Sequence, residues 1–167
     1  MRLYTFTNFY LSPIQHGIQS AHVLSDMFVK YKYNHKKSSI VYDWAEHHKT
    51  MIVLNGGANV DLQYIDDEFE KIGDALIYPF TQFYEDKVSL NNLLTCVGIV
   101  LPKEIYDAIS YEKMLSKFEM TNFPDFPDDY KLDFFYHNTD TGELIRYRKD
   151  SPEWKVISIL KSCGLAR

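Results

Sequence analysis

The sequence predicts an α/β fold: a mixed four-stranded sheet with helices on both faces, followed by a C-terminal appendage made of a β-hairpin and a closing helix. Three observations predict it. Runs rich in β-branched and aromatic residues alternate with segments of helical period up to about residue 109. The helical segments carry start and stop signals, among them Ser12-Pro13 and Gly73. Past residue 110 the texture changes to a Pro- and Asp-rich connection and then two strand-like runs around the turn-rich "NTDTG". The core is therefore assigned to residues 1–109 and the appendage, packed on it, to residues 110–167.

The elements follow in order. "RLYTFTNFY", residues 2–10, lacks a helical period and reads as the first strand. Ser12 supplies an N-cap, Pro13 suits the first helical position, and Gln15 completes a Ser-x-x-Gln capping box, so a helix runs to about residue 32. At about 100° per residue, Ile14, Gly17, Ile18, Ala21, Leu24 and Phe28 gather on one face, taken as the core face, with Gln15, Gln19, His22 and Asp26 along its flank. Gly17 and Ala21 are expected to let this helix lie close to a sheet. "SSIVYDWAEHH" predicts a short second helix from Ser38 or Ser39, and "KTMIVLNGG" a buried strand ended by Gly56 and Gly57. Asn59 caps a third helix with Val60, Leu62, Ile65, Phe69 and Ile72 as its apolar set. "ALIYPF" reads as the third strand, with Pro79 at an exit or edge, and "LLTCVGIVL" as the fourth. A short helix "KEIYDAI", the hairpin, and a closing helix "PEWKVISILKSC" complete the chain.

Composition narrows the function. Hydrophobic residues at 46 % and charged residues at 25 % describe a globular chain rather than a disordered one. The net charge of −5 opposes binding of long nucleic acid through a broad basic face. A local patch stands against that background: "KYKYNHKK" sets Lys30, Lys32, Lys36 and Lys37 among Tyr31, Tyr33 and His35, a mixture suited to phosphate contact and stacking, although a charge run of this kind is more often a solvated helix end. Cys96 and Cys163 have no metal-binding or redox spacing, and no signal peptide or membrane span is legible, so a reducing cytoplasmic setting is expected. The six histidines form no His-Glu-x-x-His pattern, and adjacent His47 and His48 point about 100° apart on a helix, so no metal site and no cofactor are expected.

"IQHGIQSAHV" in the first helix, Trp44 before the second strand, and "TCVGIVLPKEIYD" in the fourth resemble the type 2 peptidyl-tRNA hydrolases. The family's first helix carries a pattern near Gly-Lys-x-Ala-x-Gln-x-x-His-Ala. Gln19 and His22 match its glutamine and histidine, Gln15 stands at the lysine, and Thr95, Gly98 and Ile99 match its last strand. The resemblance spans about residues 3–108. Two departures bear on function: the lysine is replaced by Gln15, and Phe83 falls where the family has an aspartate, leaving Glu85 or Asp86 to serve only if the loop is shifted. Asn8 stands near where the first strand would end in an aspartate.

The resemblance implies hydrolysis of the ester between a peptide and the 3′ ribose of tRNA, with Gln15, Gln19 and His22 as catalytic residues. Asn8, Asp26, Lys30, Lys32, Lys36, Lys37 and Thr95 are the candidate ligand contacts. His22 would activate water, and Gln19, one turn earlier, would orient it or the substrate. Replacing a cation by the neutral Gln15 forfeits part of a factor on the order of 10²–10³ in rate, so hydrolysis is expected to be weak. Two bland alternatives stay open: Gln15 as a capping residue only, and His22 as a histidine bonded within the fold. Two other functions stay open as well. One is a non-catalytic binder that sequesters a nucleotide-like ligand between aromatic rings, as viral counter-defence proteins do. The other is an interaction module using residues 110–167 for a protein partner or a homodimer, with the acidic "FPDFPDDY" as the contact.

Overall fold

The structure, a computed structural model, describes residues 1–117 and 128–166. β1 (Arg2–Thr7) is followed by α1 (Pro13–Tyr31), α2 (His35–Asp43), β2 (Met51–Asn55), α3 (Asn59–Ile72), β3 (Phe80–Tyr84), α4 (Lys87–Leu90) and β4 (Leu94–Leu101). These strands form a mixed sheet in the order β2-β1-β4-β3, with β1 and β2 parallel and β4 antiparallel to both its neighbours. The expected four-stranded mixed α/β sheet is present. The compact unit built on it comprises Met1–Pro102 and the described residues from Ser162 onward. The second unit is Lys103–Lys161. The division expected near residue 109 thus falls at Pro102, and the end of the chain belongs to the first unit, because residues 164–166 pair with β2.

α1 begins as its sequence dictates. Ser12 accepts from the Gln15 N–H, Gln15 Oε1 accepts from the Ser12 N–H, and Pro13 occupies the first turn. Its buried face, however, is a different stripe from the one expected. His16, Gln19, Ser20, Val23, Met27 and Tyr31 point inward, while Ile14 is 77 % and Ile18 48 % exposed. The strands explain the rotation. β1 alternates Tyr4 and Phe6 with Thr5 and Thr7, and those threonines offer hydroxyls that need partners once covered. Ser20 Oγ donates to the His16 carbonyl (2.8 Å), so Thr5 Oγ1, 2.8 Å away, donates to Ser20.

The close approach of α1 to the sheet is made by the sheet. A Cβ on Gly98 of β4 would collide with Cγ1 of Val23, whereas one on Gly17 would meet nothing within 4 Å. The expectation that Gly17 and Ala21 supply the close contact is therefore corrected: both are exposed. Further along α1, Val23, Met27 and Tyr31 pack with Leu3, Val41, Trp44, Cys96 and Val100. The Tyr31 hydroxyl donates to the Phe80 carbonyl (2.6 Å), fixing the end of α1 to the start of β3. On the opposite face α3 packs through Leu62, Ile65 and Phe69, the last edge-on to both Phe6 (6.1 Å) and Phe80 (5.6 Å). Val60, expected in that core, is exposed.

Other boundaries moved for identifiable reasons. α2 starts at His35, because Asn34 rather than Ser38 or Ser39 accepts the capping bond, and it runs into a wide turn at Trp44–His48. β3 begins at Phe80, where the strand expected from "ALIYPF" ends, since Pro79 lacks the N–H a ladder requires. β2 ends in a turn that Gly57 makes at φ +79°, in the left-handed region glycine tolerates.

In the second unit, α5 (Lys103–Tyr106) leads to β5 (Ile109–Ser110), α6 (Tyr111–Lys117), β6 (Phe134–His137), β7 (Leu144–Tyr147) and α7 (Pro152–Ser162). The expected hairpin β6-β7 and closing helix are present, and β5 adds a third strand on β6. Asp133, buried, accepts from Arg146 Nε (2.5 Å) and the Lys149 N–H (2.7 Å), and the Arg146 guanidinium lies over the Tyr130 ring. Residues 122–127 of the Pro- and Asp-rich stretch, the expected protein contact, lie outside the described residues. No described helix is long and apolar enough to cross a membrane.

Gly98→Val is expected to lower unfolding free energy by about 1–3 kcal/mol through overpacking against Val23. Gly17→Ala is expected to raise it, by up to about 1 kcal/mol, because the added methyl meets only solvent. Urea denaturation of the two variants checks both signs.

Candidate functional site

The first half of α1 presents three polar side chains to three threonines, and two neighbouring sites arise from that seam. Over β4 and the end of β3 lies the first. Thr95 Oγ1 donates to Gln19 Oε1 (3.0 Å), and Gln19 Nε2 donates to Glu85 Oε1 (2.5 Å). The register shift between Phe83 and Tyr84 makes Thr95 the extra residue of a bulge, which turns its hydroxyl toward the helix. Glu85 follows that bulge. Its carboxylate reaches the expected catalytic row at Gln19, and the sequence offered it only on condition of a shifted loop.

His22 does not join this hydrogen-bonded set. It is exposed and stacks on Phe83 with ring centroids 4.4 Å apart and planes at 10°. Its nitrogens make no hydrogen bond among the described residues, so none orients the ring for base catalysis. Gln15 is exposed, and its Oε1 accepts from both N–H and Oγ of Ser12 at 2.9 Å. The capping box expected from the sequence is formed. Asn8, nearly fully buried, accepts from the Tyr10 N–H (3.0 Å) and turns the chain after β1.

The lysines lie elsewhere. From His16 to Lys30 is about 21 Å along α1 at 1.5 Å per residue, so the basic run occupies the other end of the helix. Lys30 lies over the Phe80 ring (4.5 Å), 3.5 Å from Gln82 Oε1 and 4.0 Å from Glu70; Lys32 lies over Tyr33 (4.8 Å) and Lys37 over Tyr31 (5.4 Å). Lys36 is exposed at the start of α2. Asp26 joins Lys30, Gln82 and Tyr84 along a shallow groove. These five residues are not gathered with Gln19 and Thr95.

A second site, which sequence reasoning missed, sits at the carboxyl ends of the parallel strands β1 and β2. There a cavity of about 680 Å³ is lined by Phe9, His16, Asn55 and residues 164–166. The tail forms its wall by pairing with β2: Asn55 N–H donates to the Gly164 carbonyl (2.8 Å) and Ala166 N–H to the Val53 carbonyl (3.1 Å). His16 is buried, and burial pulls its pKa below the ordinary value, so it is neutral near pH 7. Its Nδ1 lies 2.7 Å from Thr7 Oγ1, and that hydroxyl also reaches the Leu54 carbonyl (3.2 Å). Two tautomers fit this geometry: with the Thr7 proton on Leu54, Nδ1–H donates to Thr7 and Nε2 is an acceptor; with the Thr7 proton on Nδ1, Nε2 carries the ring proton. The signal was present in the stripe His16, Gln19, Ser20, Val23, Met27, Tyr31, which matches the helical period once polar residues are admitted to the inner face.

Between β3 and α3 a further polar cluster was also missed. Tyr84 donates to Asp66 Oδ2 (3.0 Å), while Oδ1 is buried with no hydrogen-bond partner. Burial raises the Asp66 pKa, Glu70 and Asp67 push the same way, and the Tyr84 bond and Lys30 oppose them. No group of three or more metal-ligating side chains occurs among the described residues. The sequence matches no protein-family model and no curated protein.

Gln15→Ala is expected to cost about 0.5–1 kcal/mol of stability through loss of half the capping box, measured by thermal unfolding, and to leave ligand binding unchanged. Because Asp66 binds its proton more tightly folded than unfolded, its contribution to stability falls as pH rises through the raised pKa. Asp66→Asn removes that term. The stability of the variant relative to the parent is expected to rise with pH from about 4 upward and then level off, read from urea midpoints across the range.

Proposed function

We propose that the chain is a binding protein on a type 2 peptidyl-tRNA hydrolase-like scaffold, holding a nucleotide-like ligand without cleaving it. The observation that carries this reading is the cavity at the carboxyl ends of β1 and β2, about 680 Å³ and walled by Phe9 and His16. Its size is that of small-ligand sites, and crevices beyond the carboxyl ends of parallel strands are where open α/β sheets bind ligands. The mixed sheet with α1 and α3 on opposite faces agrees with the scaffold the resemblance implies. The fate of the expected catalytic groups speaks for binding over hydrolysis. Gln15 is turned into its capping box, and the Phe83 ring lies flat on His22 at the position where the family has an aspartate. Among the described residues no hydrogen bond joins His22 to a carboxylate, and Gln15 brings no cation to stabilise an oxyanion.

One observation favours a second reading. Glu85 reaches Gln19, so a carboxylate does enter the site, and weak hydrolysis of the peptidyl-tRNA ester by His22 with Glu85 is the competing function.

Incubation with a peptidyl-tRNA is expected to release no peptide above the protein-free control. Adenosine and guanosine monophosphates, linear and cyclic, are expected to include at least one that raises the melting temperature saturably. Peptide release that His22→Ala abolishes would overturn the binding reading in favour of the hydrolase. No shift with any of the nucleotides would overturn it outright.

A further inference from the structure

We infer that the cavity walled by His16 recognises the base of its ligand rather than the phosphate, and that His16 Nε2 selects a base carrying an in-plane amino group, as adenine does. This inference rests on the proposed binding function and assigns its ligand chemistry.

Three features lead to it. The first is the absence of charge: none of the described lining residues, Phe9, His16, Asn55 and 164–166, is ionised near neutral pH, His16 being held neutral by burial. Phosphate recognition depends on cations or convergent charge-assisted donors. The lysines of the chain's basic run lie at the far end of α1. Among the described residues this wall offers a neutral heterocycle more than it offers a phosphate.

The second is a hydrogen-bonding edge. In the inferred tautomer Thr7 gives its one proton to the Leu54 carbonyl and His16 carries its own on Nδ1, so that Nε2 presents a lone pair. No described residue donates to that atom. Asn55, on the same wall, has its Oδ1 accepting from the Gly57 N–H (2.9 Å), which leaves its amide NH₂ to donate. One acceptor and one donor form the complement of a base edge that pairs an amino group with a ring nitrogen.

The third is a flat apolar surface. Phe9 is 46 % exposed, and the Tyr10 ring lies against it, centroids 3.8 Å apart and planes tilted by 36°. Its backbone is fixed by donation to the Gly57 carbonyl (3.0 Å). A half-exposed ring that lines the cavity offers a base a stacking face.

The test is titration calorimetry of the full chain with adenosine and with purine riboside, which lacks only the amino group. Adenosine is expected to bind about tenfold tighter, the equivalent of one good hydrogen bond. His16→Phe is expected to remove that preference by weakening adenosine alone. Phe9→Ala, an exposed change that leaves the core intact, is expected to weaken both ligands by about tenfold. If His16→Phe fails to fold, Thr7→Val serves in its place, since it removes the acceptor of Nδ1–H in the inferred tautomer and shrinks the preference. Should a nucleotide bind while the two nucleosides bind equally, or while both substitutions leave affinity unchanged, the assignment of this cavity is overturned and the binding function stands. Should no nucleotide or nucleoside bind at all, both fall together.

Discussion

The hydrogen-bonded seam between the first half of α1 and the threonines of the sheet fixes how this helix lies. Ser20 with Thr5, His16 with Thr7, and Gln19 with Thr95 each satisfy a buried hydroxyl that would otherwise cost about 1–3 kcal/mol. A helix rotated to bury Ile14 and Ile18 would gain their apolar area, roughly 1.5–3 kcal/mol each, but would strand several polar groups at once. The seam wins because its bonds are made together and share one helical stripe. Gly98 completes the arrangement by letting Val23 approach the strand closely enough for those short polar side chains to meet.

That constraint also distributes the chemistry. Because His16 and Gln19 are both drawn inward, one faces the ends of β1 and β2 and the other the bulge between β3 and β4. His22, just off the inner stripe, is left outside, where it finds only the face of Phe83. A row that reads in sequence as one set is therefore divided among a capping box (Gln15), a hydrogen-bonded group (Gln19 with Glu85 and Thr95) and a ring pair (His22 with Phe83). The histidine that lines the cavity is the one the seam holds against Thr7.

The tail has a local role in the same region. By pairing with the free edge of β2 it covers backbone groups that would otherwise stand open, and its residues become one wall of the cavity. Asp66, on the other face, is an exception to the general satisfaction of buried groups. Its unpartnered oxygen and raised pKa mark a place where packing of α3 against β3 has been favoured over polar pairing.

Much of the fold was legible in the residues. The capping box at Ser12 and Gln15, the breaks at Gly73 and Pro79, the continuous apolar run of β4 and the "NTDTG" hairpin are local signals whose physics acts within a few residues, and each appears where such physics puts it. What the sequence left undetermined was which stripe of α1 faces inward, and with it the site. Helical periodicity ranks faces by apolarity, yet the inner face here carries His16, Gln19 and Ser20. Their burial is favourable only because strands distant in sequence bring Thr5, Thr7 and Thr95 opposite them. Hydrogen-bond satisfaction is a property of pairs, and the pairs exist only in the tertiary structure.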